Sequence, residues 1–101
     1  MKTYPLGTSD LNVSCIGYGA MYIGGSWDDT PLIDSARKSA LKVLRTALDA
    51  GINFFDHADI YCNGKSEEAF AGLWKDAPHL RQKIYLQTKC GIRFAPLHRF
   101  D

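Results

Sequence analysis

Asp56, Tyr61 and Lys89 are the residues of this 101-residue chain whose types and spacing suit proton-transfer chemistry. A free tyrosine has a pKa near 10, too high for a proton carrier at neutral pH. A nearby ammonium favours phenolate and lowers that value, and a carboxylate behind the ammonium keeps it charged and oriented. Brought together, Asp56, Lys89 and Tyr61 would let a phenol act as a general acid or base. The competing reading is an ordinary ion pair with a tyrosine in a nearby loop, and spacing alone does not overturn it.

The elements that must position these groups are legible around them. Asn53-Phe54-Phe55-Asp56 reads as a short apolar strand ending on the carboxylate, and residues 84–89 as a second one ending on Lys89. An earlier buried strand, residues 15–19, ends in Gly19-Ala20-Met21, small where backbone could approach a ligand. Between the strands lie two helical patterns. The first is capped by Asp34 or Ser35, carries the stripe Ala36, Ala40, Leu41, Leu44, Ala47, Leu48, and stops at Gly51. The second starts at Ser66 with Glu67 and Glu68 in its first turn, packs Phe70, Leu73 and Trp74 on one side, and ends at Pro78.

Strand, helix, strand, helix, strand specifies a parallel sheet with helical crossovers. Ligand sites in such folds lie at the carboxyl ends of the strands, so Gly19, Asp56 and Lys89 should face one site. If Lys89 points inward, so do Gln87 and Tyr85, while Ile84, Leu86 and Thr88 face the helices. Ahead of the sheet, residues 4–13 with their Gly7-Thr8-Ser9-Asp10 cluster predict a hairpin. Trp27, in the polar loop 24–31, is either a lid residue or the loop's own anchor. After Lys89 no third helix is expected, with Pro96 in so short a stretch, and the chain reads as cut rather than finished.

Composition narrows the function classes. The chain is 46% hydrophobic and 23% charged with a net charge of +1, ordinary for one globular domain spanning 1–101. A near-neutral balance argues against nucleic-acid binding, and no apolar run reaches the roughly 20 residues of a membrane span. Three widely spaced cysteines, Cys15, Cys62 and Cys90, without a C-x-x-C pair indicate neither disulfides nor zinc. A reduced, cytoplasmic setting is expected.

The strings GINFFDHADIYCNGKSEE and IYLQTKCG closely resemble the aldo-keto reductases, and VSCIGYGAM resembles their first barrel strand. The resemblance runs to about Arg93 and implies an α/β fold, the N-terminal portion of a (β/α)8 TIM barrel preceded by a short β-hairpin, three strands of eight. It implies NADPH-dependent reduction of a small-molecule carbonyl substrate, with hydride transfer to carbon and a proton from tyrosine. On these positions Tyr61 is the proton donor, Lys89 lowers its pKa and Asp56 braces Lys89. Gly19, Ala20, Met21 and Asp56 fall at the nicotinamide end of the cofactor, and Tyr22 looks into the substrate pocket. The chain departs from the pattern at Cys62, where the family usually has glycine. The family's catalytic histidine lies on the next strand, which His98 is too near Lys89 to supply, and its basic grip on the 2′-phosphate lies further on.

The alternatives are a truncated product without activity, or a cofactor-binding or regulatory subunit on the same barrel, as in the potassium-channel β-subunits. Three strands leave two open edges, which invites self-association. His57-x-Asp59 reads as a packed, hydrogen-bonded histidine rather than a metal pair, so no metal site is expected. Gly17-x-Gly19 is not a dinucleotide fingerprint, since Tyr22 replaces its last glycine. Lys65 belongs to the helix start, Cys90 reads as a small buried residue, and His79 carries no signal.

Overall fold

In this computed structural model, which describes residues 1–93, β1 (Thr3–Pro5) and β2 (Asn12–Ser14) pair antiparallel as the expected hairpin. The readings placed on Pro96 and His98 lie outside the described residues. Asn53 fastens the hairpin to the sheet. Its side-chain oxygen accepts the Ser14 N–H at 2.7 Å, its own N–H donates to Ser14 Oγ at 3.0 Å, and its amide donates to the Asn12 carbonyl. These bonds satisfy backbone groups that neither a helix nor a ladder reaches.

Three strands form the parallel sheet in the order β3 (Tyr18–Gly19), β4 (Phe54–Asp56), β5 (Tyr85–Gln87). The register sets Gly19 beside Asp56 and Asp56 beside Gln87. The strands are shorter than the sequence suggests. Cys15 N–H still donates to the Lys2 carbonyl, so the chain belongs to the hairpin there and joins the sheet only at Tyr18. Lys89 likewise stands two residues beyond the last paired position of β5.

The first crossover is α1 (Asp34–Asp49), whose buried stripe is Ala40, Leu44 and Ala47. Neither Asp34 nor Ser35 caps it. Ile33 holds the cap position in extended conformation, and Asp34 lies in the first turn, where the helix dipole favours its carboxylate. The C-terminus closes as expected: Gly51 takes φ 95°, its N–H donates to Leu48, and Ile52 N–H donates to Ala47. This pair of bonds satisfies two terminal carbonyls and turns the chain directly into β4.

The second crossover runs as α2 (Lys65–Phe70) and α3 (Gly72–Asp76) rather than one helix. At the junction Trp74 N–H reaches back only three residues, to Ala71, and Gly72 lets the backbone come close to Leu41 of α1. Ser66 is not the cap. Gly64 precedes the helix, and the Ser66 hydroxyl serves the β3–α1 loop instead.

The core lies between the sheet and these helices: Leu44, Ala47, Phe55, Phe70, Leu73 and Ile84. Phe55 is fully buried, with ring centroids 6.1 Å from Tyr18 and 5.4 Å from Phe70, and Trp74 packs on Phe70 at 5.6 Å. The aromatic stripe is core, as the spacing predicts. Strand parity also holds: Leu86 and Thr88 line the helix side with Phe70, while Gln87 and Lys89 meet Asp56 on the other. Two exposed ion pairs, Arg37–Glu68 and Arg45–Asp76, join α1 to α2 and α3; exposed pairs contribute at most about 1 kcal/mol each.

Phe55→Ala should therefore cost about 3–5 kcal/mol in urea unfolding, because the sheet and both crossovers share that ring. A loss below about 1 kcal/mol would contradict this placement of the core.

Candidate active site

Asp56 stands at the carboxyl end of the middle strand, and two donor groups converge on it through three hydrogen bonds. Lys89 Nζ lies 3.0 Å from Oδ2 and 3.1 Å from Oδ1, and Gln87 Nε2 donates to Oδ1 at 2.7 Å. Lys89 also donates to the His57 carbonyl at 2.8 Å. The pair is not buried: the Lys89 side chain is 52% exposed and that of Asp56 34%. It faces the open side of the sheet, where a ligand can reach it.

Tyr61 opens the tight turn Tyr61–Gly64 just above these strand ends and is itself buried. Lys89 Nζ sits 4.9 Å from the centroid of its ring. The Tyr61 hydroxyl and the Asp56 carboxylate together raise the Lys89 pKa above its ordinary value, so the ammonium is fully charged at neutral pH. The structure thus brings Asp56, Tyr61 and Lys89 into one cluster. Beside it is a cavity of about 330 Å³, whose wall includes Met21, Trp27, Asp59, Tyr61, Lys89 and Cys90. Mostly apolar walls, with Lys89 paired to Asp56 and Asp59 paired to Arg93 at their edge, suit a small, mostly uncharged ligand.

The other positions singled out in the sequence distribute around this cluster. Gly19 is exposed, with open space where a Cβ would stand, beside Asp56. Ala20 is wholly buried and donates its N–H to the Asp56 carbonyl at 2.9 Å, while Met21 reaches the cavity. Tyr22 lies outside that cavity. It lines a larger groove of about 470 Å³ between the β3–α1 loop and α1, which Tyr18 and Val43 also border, and touches Trp27 edge-on at 6.2 Å. Trp27 does line the cavity and meets the Tyr61 ring at 6.2 Å, so the loop aromatic does more than anchor its own loop.

Cys62 departs from the expected loop in a specific way. Cys62 and Asn63 both adopt left-handed backbone, with φ 51° and 55°. Asparagine tolerates this region, but a cysteine there is strained. The strain is offset because the Cys62 thiol is fully buried and directed at the carbonyls of Met21 and Gly25, each at 3.3 Å. Cys90 is exposed at the cavity mouth, not buried, because it lies past the end of β5 and no described element covers it.

The family model described as the aldo/keto reductase family matches residues 15–99. The chain belongs to the aldo/keto reductase family. It is similar to a probable voltage-gated potassium channel subunit beta of Oryza sativa subsp. japonica (37% identical, covering 88% of this chain and 25% of the relative). It is also similar to the NADH-specific methylglyoxal reductase of Escherichia coli (36%, covering 91% and 27%). Among solved structures, the aldo-keto reductase AKR11C1 from Bacillus halodurans matches with a TM-score of 0.73 at 37% identity, over 93% of this chain and 27% of that one. The chain therefore spans about a quarter of the length of the curated relatives it matches. Its sheet and crossovers are the N-terminal portion of a (β/α)8 barrel, with the hairpin ahead of it.

Two participants in the Asp56–Tyr61–Lys89 cluster escape a reading by motif alone. Gln87 is one; strand parity already put it on the inner face with Lys89, which was the available signal. His57 is the other, through its carbonyl. Its imidazole is packed but not hydrogen-bonded: it meets Phe70 edge-on at 4.4 Å, and neither ring nitrogen has a partner among the described residues. No group of three His, Cys, Asp or Glu suited to a metal occurs among the described residues, and no described helix is long and apolar enough to cross a membrane.

Burial pushes the His57 pKa below its ordinary value, against the opposing pull of Glu67 and Asp56. The unfolded side chain titrates near 6.5, so stability from neutral His57 is complete above that pH and is lost as pH falls toward the folded value. In an NMR titration of the folded chain the His57 imidazole should show a midpoint below 6.5, and His57→Phe should flatten the fall of the urea midpoint between pH 7 and 5.5. A His57 midpoint at or above 6.5 would sink this reading.

Proposed function

We propose that this chain is the N-terminal part of an NADPH-dependent carbonyl reductase, with Tyr61 as proton donor, Lys89 holding positive charge beside it and Asp56 orienting Lys89. The observation that carries the reading is the contact set joining these three groups at the ends of adjacent parallel strands. The residues present fit the nicotinamide end of such a cofactor. The edge at Gly19 is open, Met21 is exposed, and the Asp56 carboxylate is accessible. A cavity of about 330 Å³ takes a flat ring and a small carbonyl compound, not a whole dinucleotide.

Reduced nicotinamide, when bound, supplies the hydride. As a C–H bond forms at the carbonyl carbon, the carbonyl π pair moves to oxygen, and the Tyr61 hydroxyl proton completes the alcohol. The resulting phenolate faces the Lys89 ammonium, which stabilises it as the charge develops. Asp56 and the His57 carbonyl keep that ammonium from swinging away. Ala20 N–H, bonded to the Asp56 carbonyl, fixes the first loop at the same edge. The proposed compartment is the cytoplasm, which suits the exposed free thiols of Cys15 and Cys90. The open edges of β3 and β5 would be covered by further strands, or by a second copy if the chain stands alone.

A second reading, binding of the cofactor without turnover, is favoured by the similarity to the rice protein named as a channel subunit. The two separate in one experiment, with residues 1–93 grafted in place of the matching segment of the Bacillus halodurans reductase. NADPH oxidation with a small aldehyde is expected, and Lys89→Met should lower turnover about 100-fold or more while the circular dichroism spectrum is unchanged. Binding of NADPH without turnover by the parent graft would favour the subunit reading, and unchanged turnover in the mutant would remove Lys89 from its role.

A further inference from the structure

We infer that Lys65 is a positioning residue for the proposed reductase site: it clamps the β3–α1 loop so that Trp27 is held against Tyr61. This rests on the reading of Tyr61 as the proton donor. Lys65 is the first residue of α2, and only 7% of its side chain is exposed. A buried ammonium is strongly unfavourable unless it is paired and fully hydrogen-bonded. Lysine has three donors, and Lys65 finds three acceptors: Asp28 Oδ1 at 2.9 Å, Ser26 Oγ at 3.2 Å and Thr30 Oγ1 at 3.4 Å. All three belong to one five-residue stretch of the loop. The loop cannot lift without stranding the charge.

Trp27 sits inside that stretch, between two of the acceptors. Its ring is set edge-on to Tyr61 on one side and to Tyr22 on the other. Aromatic pairs of this kind favour one mutual orientation, so a fixed Trp27 limits the swing of the Tyr61 ring. Lys89 lies over that same ring, so the tyrosine is restrained by the loop and by the ammonium together. Other bonds hold the loop to the same region. Ser66 Oγ accepts the Gly24 N–H and donates to the Met21 carbonyl, each at 3.2 Å, and Asn63 donates to Asp29 at 3.2 Å. Gly24 passes so near the α2 backbone that a Cβ would stand 2.5 Å from Ser66 N. Thr30, through its hydroxyl, and then Lys65 hold the Asp28 carboxyl well below the usual carboxylate range, so the clamp stays ionised in mild acid.

The test uses Trp27 as its own reporter. Trp74→Phe in the full chain leaves Trp27 as the single tryptophan. In that background Lys65→Met should raise acrylamide quenching of Trp27 about twofold with an unchanged far-ultraviolet spectrum, and Lys65→Arg should restore most of the protection. Asp28→Asn, at a half-exposed position, should move quenching the same way and decides the matter if Lys65→Met does not fold. In the grafted reductase, Lys65→Met should lower kcat about tenfold with a smaller rise in KM, because the proton donor is present but held less well, and Lys65→Arg should restore most of the loss. Unchanged quenching in the folded variants would overturn the clamp. Increased quenching with unaltered kinetic constants would overturn its role at the site. A parent graft without turnover would refute the reductase reading and leave quenching to decide the clamp.

Discussion

Parallel pairing of two short strands is the constraint on which the cluster depends. With Phe55 beside Leu86 and Asp56 beside Gln87, the carboxylate, the amide and, two residues on, the ammonium share one face. A slip of one residue would send Lys89 to the helix side and bring Thr88 to the carboxylate. Phe55 and Ile84 resist that slip together, since their burial in one core fixes the apolar face of β4 and of the chain entering β5. Packing on one side of the sheet thus dictates electrostatics on the other.

The loop over the strand ends solves a different problem. It is polar, carries two successive aspartates, and has no helix or strand of its own to hold it. Its order comes from the start of α2, where Lys65 and Ser66 turn their polar atoms toward the loop. The crossover that follows the tyrosine therefore supports the loop that precedes α1, and two stretches far apart in sequence are fixed as one surface.

Much of this was legible in the residues. Crossover order, the hairpin and the Asp56–Lys89 pair follow from apolar runs, parity and strand-terminal charges, while the weight on Tyr61 came from the family resemblance. What stayed hidden depends on contacts across sequence. Lys65 looks like any helix-start lysine, because nothing local says that Ser26, Asp28 and Thr30 will surround it. Ser66 has the sequence context of a cap but is drawn away by Gly24 and Met21. Cys90 reads as buried by type, whereas its exposure follows from where β5 stops. The imidazole of His57 is expected to find a hydrogen bond and instead finds the edge of Phe70, a contact that only the packing of α2 on the sheet creates.

Cys62 gives the molecule an internal clock. Its thiol is sealed behind the loop whose carbonyls it faces, while Cys15 and Cys90 are open to solvent. Thiolate chemistry requires access, so an alkylating reagent reaches Cys62 only during the moments when loop and turn part. The rate at which Cys62 is labelled, set against that of the two open thiols, would therefore report the opening of the wall beside Tyr61.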